Sequence, residues 1–127
     1  MQLRLNQENV YGIKLVEYLA NLEGEKTTSA RNMSEETGIS IMFALKILRI
    51  LKNEGIISSQ QGITGGYKLK KEEVSIYEIV KALKGDLYIT NDLKEKKEPE
   101  GEIEMELKKI QEDIIGRMKN LKIRKKN

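Results

Sequence analysis

The sequence contains no cysteine and no histidine. Disulfides are therefore excluded, and with them thiolate and imidazole metal sites, cysteine nucleophiles and histidine-based triads. Carboxylates and lysines remain, as in any soluble protein. No catalytic residue is assigned, and the chain is read as a non-enzyme without a cofactor or bound metal. Long apolar runs are missing too. Nothing approaches the roughly 18 apolar residues of a membrane span, and residues 1–10 hold no run of signal-peptide length. The chain is expected to be cytoplasmic, with no membrane partner. Its 127 residues are 39% apolar and 34% charged, which gives room for one compact domain plus a separate arm.

The net charge of +3 is unevenly spread. Residues 1–85 carry 12 basic and 10 acidic side chains, residues 86–116 carry 5 and 10, and residues 117–127 carry 6 and none. A basic tail of this kind reads as a solvated arm, with Arg124, Lys125 and Lys126 disordered, or as a phosphate-contacting one.

Hydrophobic periodicity predicts a first helix over residues 7–23. Asn6 is its N-cap, Leu5 and Val10 suit a hydrophobic staple, and Gly24 stops it. A short second helix follows over residues 29–37, capped by Thr28 or Thr27, with a thin apolar face of Ala30, Met33 and Thr37. Gly38 supplies a left-handed turn. Ser40 then caps a third helix from Ile41 to about Glu54, in which Phe43, Ile47, Leu48 and Leu51 form the inner face. Two helices joined by so tight a glycine turn are the signature of a helix-turn-helix.

The period then changes. Ile56-Ile57-Ser58-Ser59-Gln60 and Tyr67-Lys68-Leu69-Lys70 read as strands around the turn Gly62-Ile63-Thr64-Gly65-Gly66, where the paired glycines allow positive backbone angles. A phosphate-cradling loop is the rival reading of this turn, but the expected Gly-Lys-Ser/Thr ending into a helix is missing. Ser75 and Glu78 make a capping box for a fourth helix with the stripe Ile76, Ile79, Val80 and Leu83, ended by Gly85. Residues 86–101 are mostly polar and read as a linker. A last helix covers residues 102–121. On it Ile103, Leu107, Ile110, Ile114, Met118 and Leu121 step by four, three, four, four and three residues and so share one stripe. That stripe needs a surface to bury against, either its own domain or, as favoured here, a second subunit. The fold expected is mainly α with a small β-hairpin, a winged helix-turn-helix (residues 1–85) plus a polar linker (86–101), a long C-terminal dimerisation helix (102–122) and a basic tail (123–127).

Several stretches together resemble one family. They are Gly38-Ile39-Ser40 through Phe43, Lys46-Ile47-Leu48 and Leu51, then Gly55-Ile56-Ile57, then Gly62 with Gly65-Gly66-Tyr67 and Leu69. Val10-Tyr11-Gly12-Ile13 near the start and Ile79-Val80-Lys81-Ala82-Leu83-Lys84-Gly85 after the hairpin also fit. Over residues 1–85 the chain is similar to the Rrf2 family of bacterial regulators, which includes iron–sulfur and nitric-oxide sensors and cysteine-metabolism repressors. The resemblance implies a homodimer, built on the long helix, that binds a partly palindromic operator on double-stranded DNA, with a repressor role. It places the third helix in the major groove and the hairpin, or wing, in the minor groove, with half-sites about one helical turn apart.

Two departures stand out. Sensors of the family carry three cysteines after the fourth helix as iron–sulfur ligands, and residues 86–104 have none. The wing position that usually carries an arginine is Gln61, which has no charge to profit from a narrow, electronegative groove. On this reading Ser40, Ile41, Met42, Lys46 and Arg49 face the major groove. Gln60, Gln61, Gly62 and Thr64 approach the minor groove, and Thr28 and Ser29 clamp phosphate. Met42 and Leu45 touch thymine methyls or pack inside the protein. Lys46, Arg49 and Asn53 form either a solvated face or a DNA contact surface. The alternative function is a winged helix turned protein-interaction module, or a ligand-sensing regulator with weak DNA binding. Its motive is the apolar trio Ile41, Met42 and Leu45 together with the missing wing arginine. No residue constellation selects an effector.

Overall fold

The computed structural model describes residues 2–63, 65–88 and 98–126. Among them five helices run in chain order: α1 (Gln7–Ala20), α2 (Ala30–Thr37), α3 (Ile41–Asn53), α4 (Ile76–Ala82) and α5 (Glu102–Asn120). Six short strands form three antiparallel pairs. β1 (Gln2–Arg4) pairs with β5 (Asp86–Tyr88), β2 (Ile57–Gln60) with β3 (Gly66–Leu69), and β4 (Glu73–Ser75) with β6 (Lys122–Arg124). Among the described residues no helix is long and apolar enough to cross a membrane.

The core is built where α1, α3 and α4 turn their apolar stripes inward. Leu15, Val16 and Leu19 of α1 meet Ala44, Ile47, Leu48 and Leu51 of α3 and Ile79 of α4, with Met33 filling in from α2. Phe43, expected inside, is only half-buried and stands edge-on to Tyr11, ring centres 5.4 Å apart. Close approach of α1 and α4 needs small residues, since a Cβ at Gly12 would run into the Leu83 side chain.

Asn6 caps α1 as expected, accepting from the Asn9 backbone at 2.8 Å. Asn9 returns the bond to the Asn6 backbone at 3.0 Å and donates across the fold to the Leu83 carbonyl at 3.2 Å. A fully buried amide thus joins the start of α1 to the end of α4, with its polar groups paired as burial demands. The staple partners Leu5 and Val10 are both exposed.

Several boundaries differ from those expected. Helix α1 stops at Ala20, not Glu23, and the Lys126 backbone N–H satisfies the free Ala20 carbonyl at 2.7 Å. Ser29, not Thr28 or Thr27, caps α2, accepting from Asn32 at 3.0 Å. Ser75 and Glu78 form the expected capping box of α4, but Lys84 rather than Gly85 adopts the left-handed angle, with φ 56°. Gly85 is needed for space: a Cβ there would strike Val80 and come within 3.0 Å of Asn9.

Two corrections concern the C-terminal third. Residues 86–88, expected to open the linker, are a strand paired with β1, and residues 89–97 of that stretch lie outside the described residues. The basic tail is not a solvated arm. Strand β6 pairs Lys122, Ile123 and Arg124 with Ser75, Val74 and Glu73, and Ile123 packs against the core. The Leu121 carbonyl accepts the Ile76 N–H at 2.8 Å, and Lys125 donates its backbone N–H to Glu72 at 2.8 Å. Acidic partners hold the charges. Glu73 pairs with Lys122 and Arg124, each at 3.2 Å, and Glu25 pairs with Lys68 at 2.6 Å and Lys125 at 3.7 Å.

These pairs make tail docking sensitive to acid. The Lys122 hydrogen bond and charge, then Arg124, hold the Glu73 carboxyl below its ordinary value of 4.5. The Lys68 hydrogen bond, then Lys125, do the same for Glu25. A lowered folded-state value gives stabilisation that is complete above the ordinary pKa and fades as pH falls through the folded one. Hydrogen exchange should therefore show the amides of residues 122–124 losing protection below about pH 4.5, before the α1–α3 core does. Glu73→Gln should flatten that dependence, and an unchanged profile in the variant would remove Glu73 from this role.

Candidate nucleic-acid interface

The site begins with the turn between α2 and α3. Gly38, at φ 78°, ends α2, and the Ser40 hydroxyl accepts the Phe43 N–H at 3.3 Å to start α3 two residues later. Burial of Ala44, Ile47, Leu48 and Leu51 fixes the rotation of α3 about its axis. The opposite face is left to solvent: Ser40, Ile41, Met42, Leu45, Lys46, Arg49, Lys52 and Asn53 are all exposed. Met42 is 76% exposed and Leu45 42%.

The wing strands are rooted in the core by Ile57 and Leu69, and one backbone approach ties the wing to the entry of α2. Thr28 and Tyr67 exchange hydrogen bonds of 3.1 and 2.7 Å, an isolated bridge between the entry to α2 and β3. Gly66 makes it possible. Its φ is +141°, and a Cβ there would stand 2.5 Å from the Thr28 carbonyl oxygen. Gly65, expected to need a positive angle, has none; it is required because a Cβ would collide with the Gln60 carbonyl. The Thr27 hydroxyl adds a 3.1 Å bond to the Gly65 carbonyl. Between α3 and the wing lies an open groove of about 580 Å³ lined by Met42, Leu45, Lys46, Arg49, Lys52 and Tyr67.

Ser40, Ile41, Met42, Lys46 and Arg49 thus share one exposed face, and Gln60, Gln61 and Gly62 lie exposed on the wing. Thr64 lies outside the described residues. Of the two residues expected to clamp phosphate, Ser29 is exposed at the start of α2. Thr28 is buried, and its hydroxyl oxygen accepts from Asn32 at 2.9 Å. Sequence reasoning passed over four members of this surface. Lys52 lies three residues after Arg49 and was within reach of the same spacing argument. Tyr67, read above only as a strand residue of the family pattern, also lines the groove. Ile63, fully exposed beside Gly62, had no periodic signal to mark it.

The fourth is Glu8. Its carboxylate bonds the Lys46 ammonium at 2.7 Å, 38 residues away in sequence, while that ammonium sits 5.8 Å from the Phe43 ring centre. An ion pair this exposed contributes about 0–1 kcal/mol to stability. Its larger effect is to offset one of the cations expected to meet DNA.

The stripe on α5 is unevenly covered. Helix α5 packs along α4, and Leu107, Ile114 and Met118 are half-buried. Ile110 is exposed, as are Ile103 (76%) and Leu121 (62%).

A family model named Rrf2, described as an iron-dependent transcriptional regulator, matches residues 5–125. The protein rrf2 of Nitratidesulfovibrio vulgaris is 30% identical over 83 residues, 64% of this chain and 55% of that protein. The HTH-type transcriptional regulator CymR of Bacillus subtilis is 22% identical over 115 residues, 89% of this chain and 83% of that protein. The solved structure of CymR, described as the global cysteine regulator of B. subtilis, superposes with a TM-score of 0.82 at 23% identity, covering 96% and 94% of the two chains. That of T. potens IscR gives 0.76 at 20% identity, covering 95% and 83%. At such identities the structural likeness is one of fold. The chain spans about half the length of the first curated relatives it matches. The family description names iron dependence, and among the described residues no ligand set for iron is found. The sequence lacks cysteine and histidine, and among the described residues no three carboxylates gather in a way that could hold a metal.

Two outcomes follow from this geometry. Gly66→Ala should lower stability by about 1–3 kcal/mol in denaturant unfolding, because the strained angle and the Thr28 contact both oppose a Cβ. Wild-type stability would mean that the bridge is not a close constraint. Lys46→Ala should weaken binding to duplex DNA and flatten its salt dependence, whereas Glu8→Gln, which frees Lys46, should strengthen binding and steepen that dependence by about one ion. Unchanged affinity in Lys46→Ala would refute its role as a phosphate contact.

Proposed function

This chain belongs to the Rrf2 family of transcription regulators, and from that premise we propose that it represses transcription by binding a partly palindromic operator as a homodimer. One observation supports this above others. The outer face of α3 is solvent-exposed beside a wing that is tied to the entry of α2 through Thr28 and Tyr67, with Lys46, Arg49 and Lys52 along the groove. Ser40, Ile41, Met42, Lys46 and Arg49 enter the major groove. Gln60, Gln61, Gly62 and Thr64 approach the minor groove, and the exposed Ser29 at the start of α2 meets phosphate, while the buried Thr28 holds that segment against the wing. The dimer forms through Ile103, Leu107, Ile110, Ile114, Met118 and Leu121, and the exposed members of that stripe are the motive for a second subunit. No catalytic role is assigned.

The second reading, a protein-interaction module, is favoured by the apolar character of Ile41, Met42 and Leu45. Salt discriminates the two. A DNA reader binds generic duplex at low salt and weakens steeply as salt rises, and an adaptor is indifferent. The dimer has its own test. Ile110→Asp replaces an exposed side chain, so the fold should persist by circular dichroism. Sedimentation equilibrium should show a monomer, with operator affinity reduced roughly a hundredfold or more as the second half-site contact is lost. A variant that stays dimeric would overturn the assignment of this stripe.

A further inference from the structure

Helices in this position contact base edges mainly through their N-terminal residues. In α3 those residues are Ile41, Met42, Phe43, Ala44 and Leu45. Guanine is read by a bidentate arginine or lysine, adenine by asparagine or glutamine, and cytosine by a carboxylate. None of these side chains occurs before Lys46, and Lys46 is already bonded to Glu8 at 2.7 Å. The Ser40 hydroxyl is engaged in capping. The surface that remains is apolar: Ile41, Met42 and Leu45 are exposed, and of these Met42 and Leu45 line the groove, whose cations Arg49 and Lys52 lie further along the same helix. Cations at that end suit phosphates, and the apolar surface at the other end needs an apolar partner. In the major groove the one apolar group offered by a base edge is the thymine 5-methyl.

Resting on the DNA-binding reading above, we propose that Met42 and Leu45 read thymine 5-methyl groups, so that each operator half-site is recognised through T·A pairs beneath the first half of α3 by apolar burial rather than by hydrogen bonding. Each methyl taken from water in this way contributes about fourfold in affinity.

Uracil provides the test, because it removes the methyl and leaves every hydrogen-bonding group of the base in place. The full-length chain is used to select bound sequences from a random duplex library, and the recovered site is titrated with thymine and with uracil at the half-site positions. We expect T·A pairs in the recovered half-sites and binding weakened at least fourfold by uracil. Met42→Ala and Leu45→Ala, both at exposed positions and checked for fold by circular dichroism, should each reduce the uracil penalty, and the double variant should bind the two duplexes within twofold of each other. Equal binding of thymine and uracil duplexes by the unaltered chain overturns this proposal and leaves DNA binding standing. A uracil penalty that persists undiminished in the Met42→Ala/Leu45→Ala double variant assigns the effect to duplex shape and also overturns it. Failure to bind any duplex at low salt removes the DNA-binding reading and this one with it.

Discussion

Two backbone hydrogen bonds between Thr28 and Tyr67 hold the rest of the surface in register. They join the segment that leads into α2 to the strand that leaves the wing, two stretches 39 residues apart in the sequence. Ile57 and Leu69 anchor the hairpin strands in the core, and these bonds add a backbone tie at Tyr67, nearer the turn. With them, the wing stands at a fixed place beside α3, and a groove exists between the two. Gly66 is the residue that permits the approach, because any side chain there would occupy the space of the Thr28 backbone. The paired glycines are thus part of the docking of the wing as well as of its turn.

The chemistry of the groove follows from what its residues already do within the fold. Met42 and Leu45 have no place in the core, since Ala44, Ile47, Leu48 and Leu51 fill it from the other side of α3. Lys46 is drawn toward Glu8 on the first turn of α1. Arg49 and Lys52 therefore carry most of the charge that is available to phosphates. On the DNA-binding reading proposed above, a helix with this division, apolar toward its N-terminus and cationic toward its C-terminus, anchors by charge at one end and discriminates by shape and methyl contact at the other.

The long helix α5 is tied at its far end to the helical domain. The Leu121 carbonyl satisfies an N–H at the start of α4, and β6 then completes a ladder with β4. Lys125 continues to Glu25, which also bonds Lys68 on the wing strand β3. A continuous set of contacts thus runs from the helix proposed to dimerise to the wing, through residues next to the one that meets the end of α1. The capping hydroxyl of α4 belongs to the same junction. Burial raises the Glu78 carboxyl, but the Ser75 N–H and Lys71 outweigh it and leave the group below its ordinary value.

The sequence by itself determined the elements whose causes are local. Asn6, Ser40 and Ser75 mark helix starts because a side-chain oxygen can meet a backbone N–H three residues on. Gly38 marks the tight turn because glycine adopts the left-handed angle without the cost that a side chain brings, and the 3.6-residue stripe of α3 tells its inner from its outer face. Position in the family pattern then assigned the outer face to DNA. Only the tertiary structure decided what depends on distant partners. Glu8 meets Lys46 across 38 residues, Ala20 gives its carbonyl to Lys126, and Ile123 and its basic neighbours become a strand because Glu73 and the edge of β4 are waiting for them. A charge run reads as solvated until an acidic, hydrogen-bonding edge is brought beside it, and the fold, not the local sequence, brings that edge there.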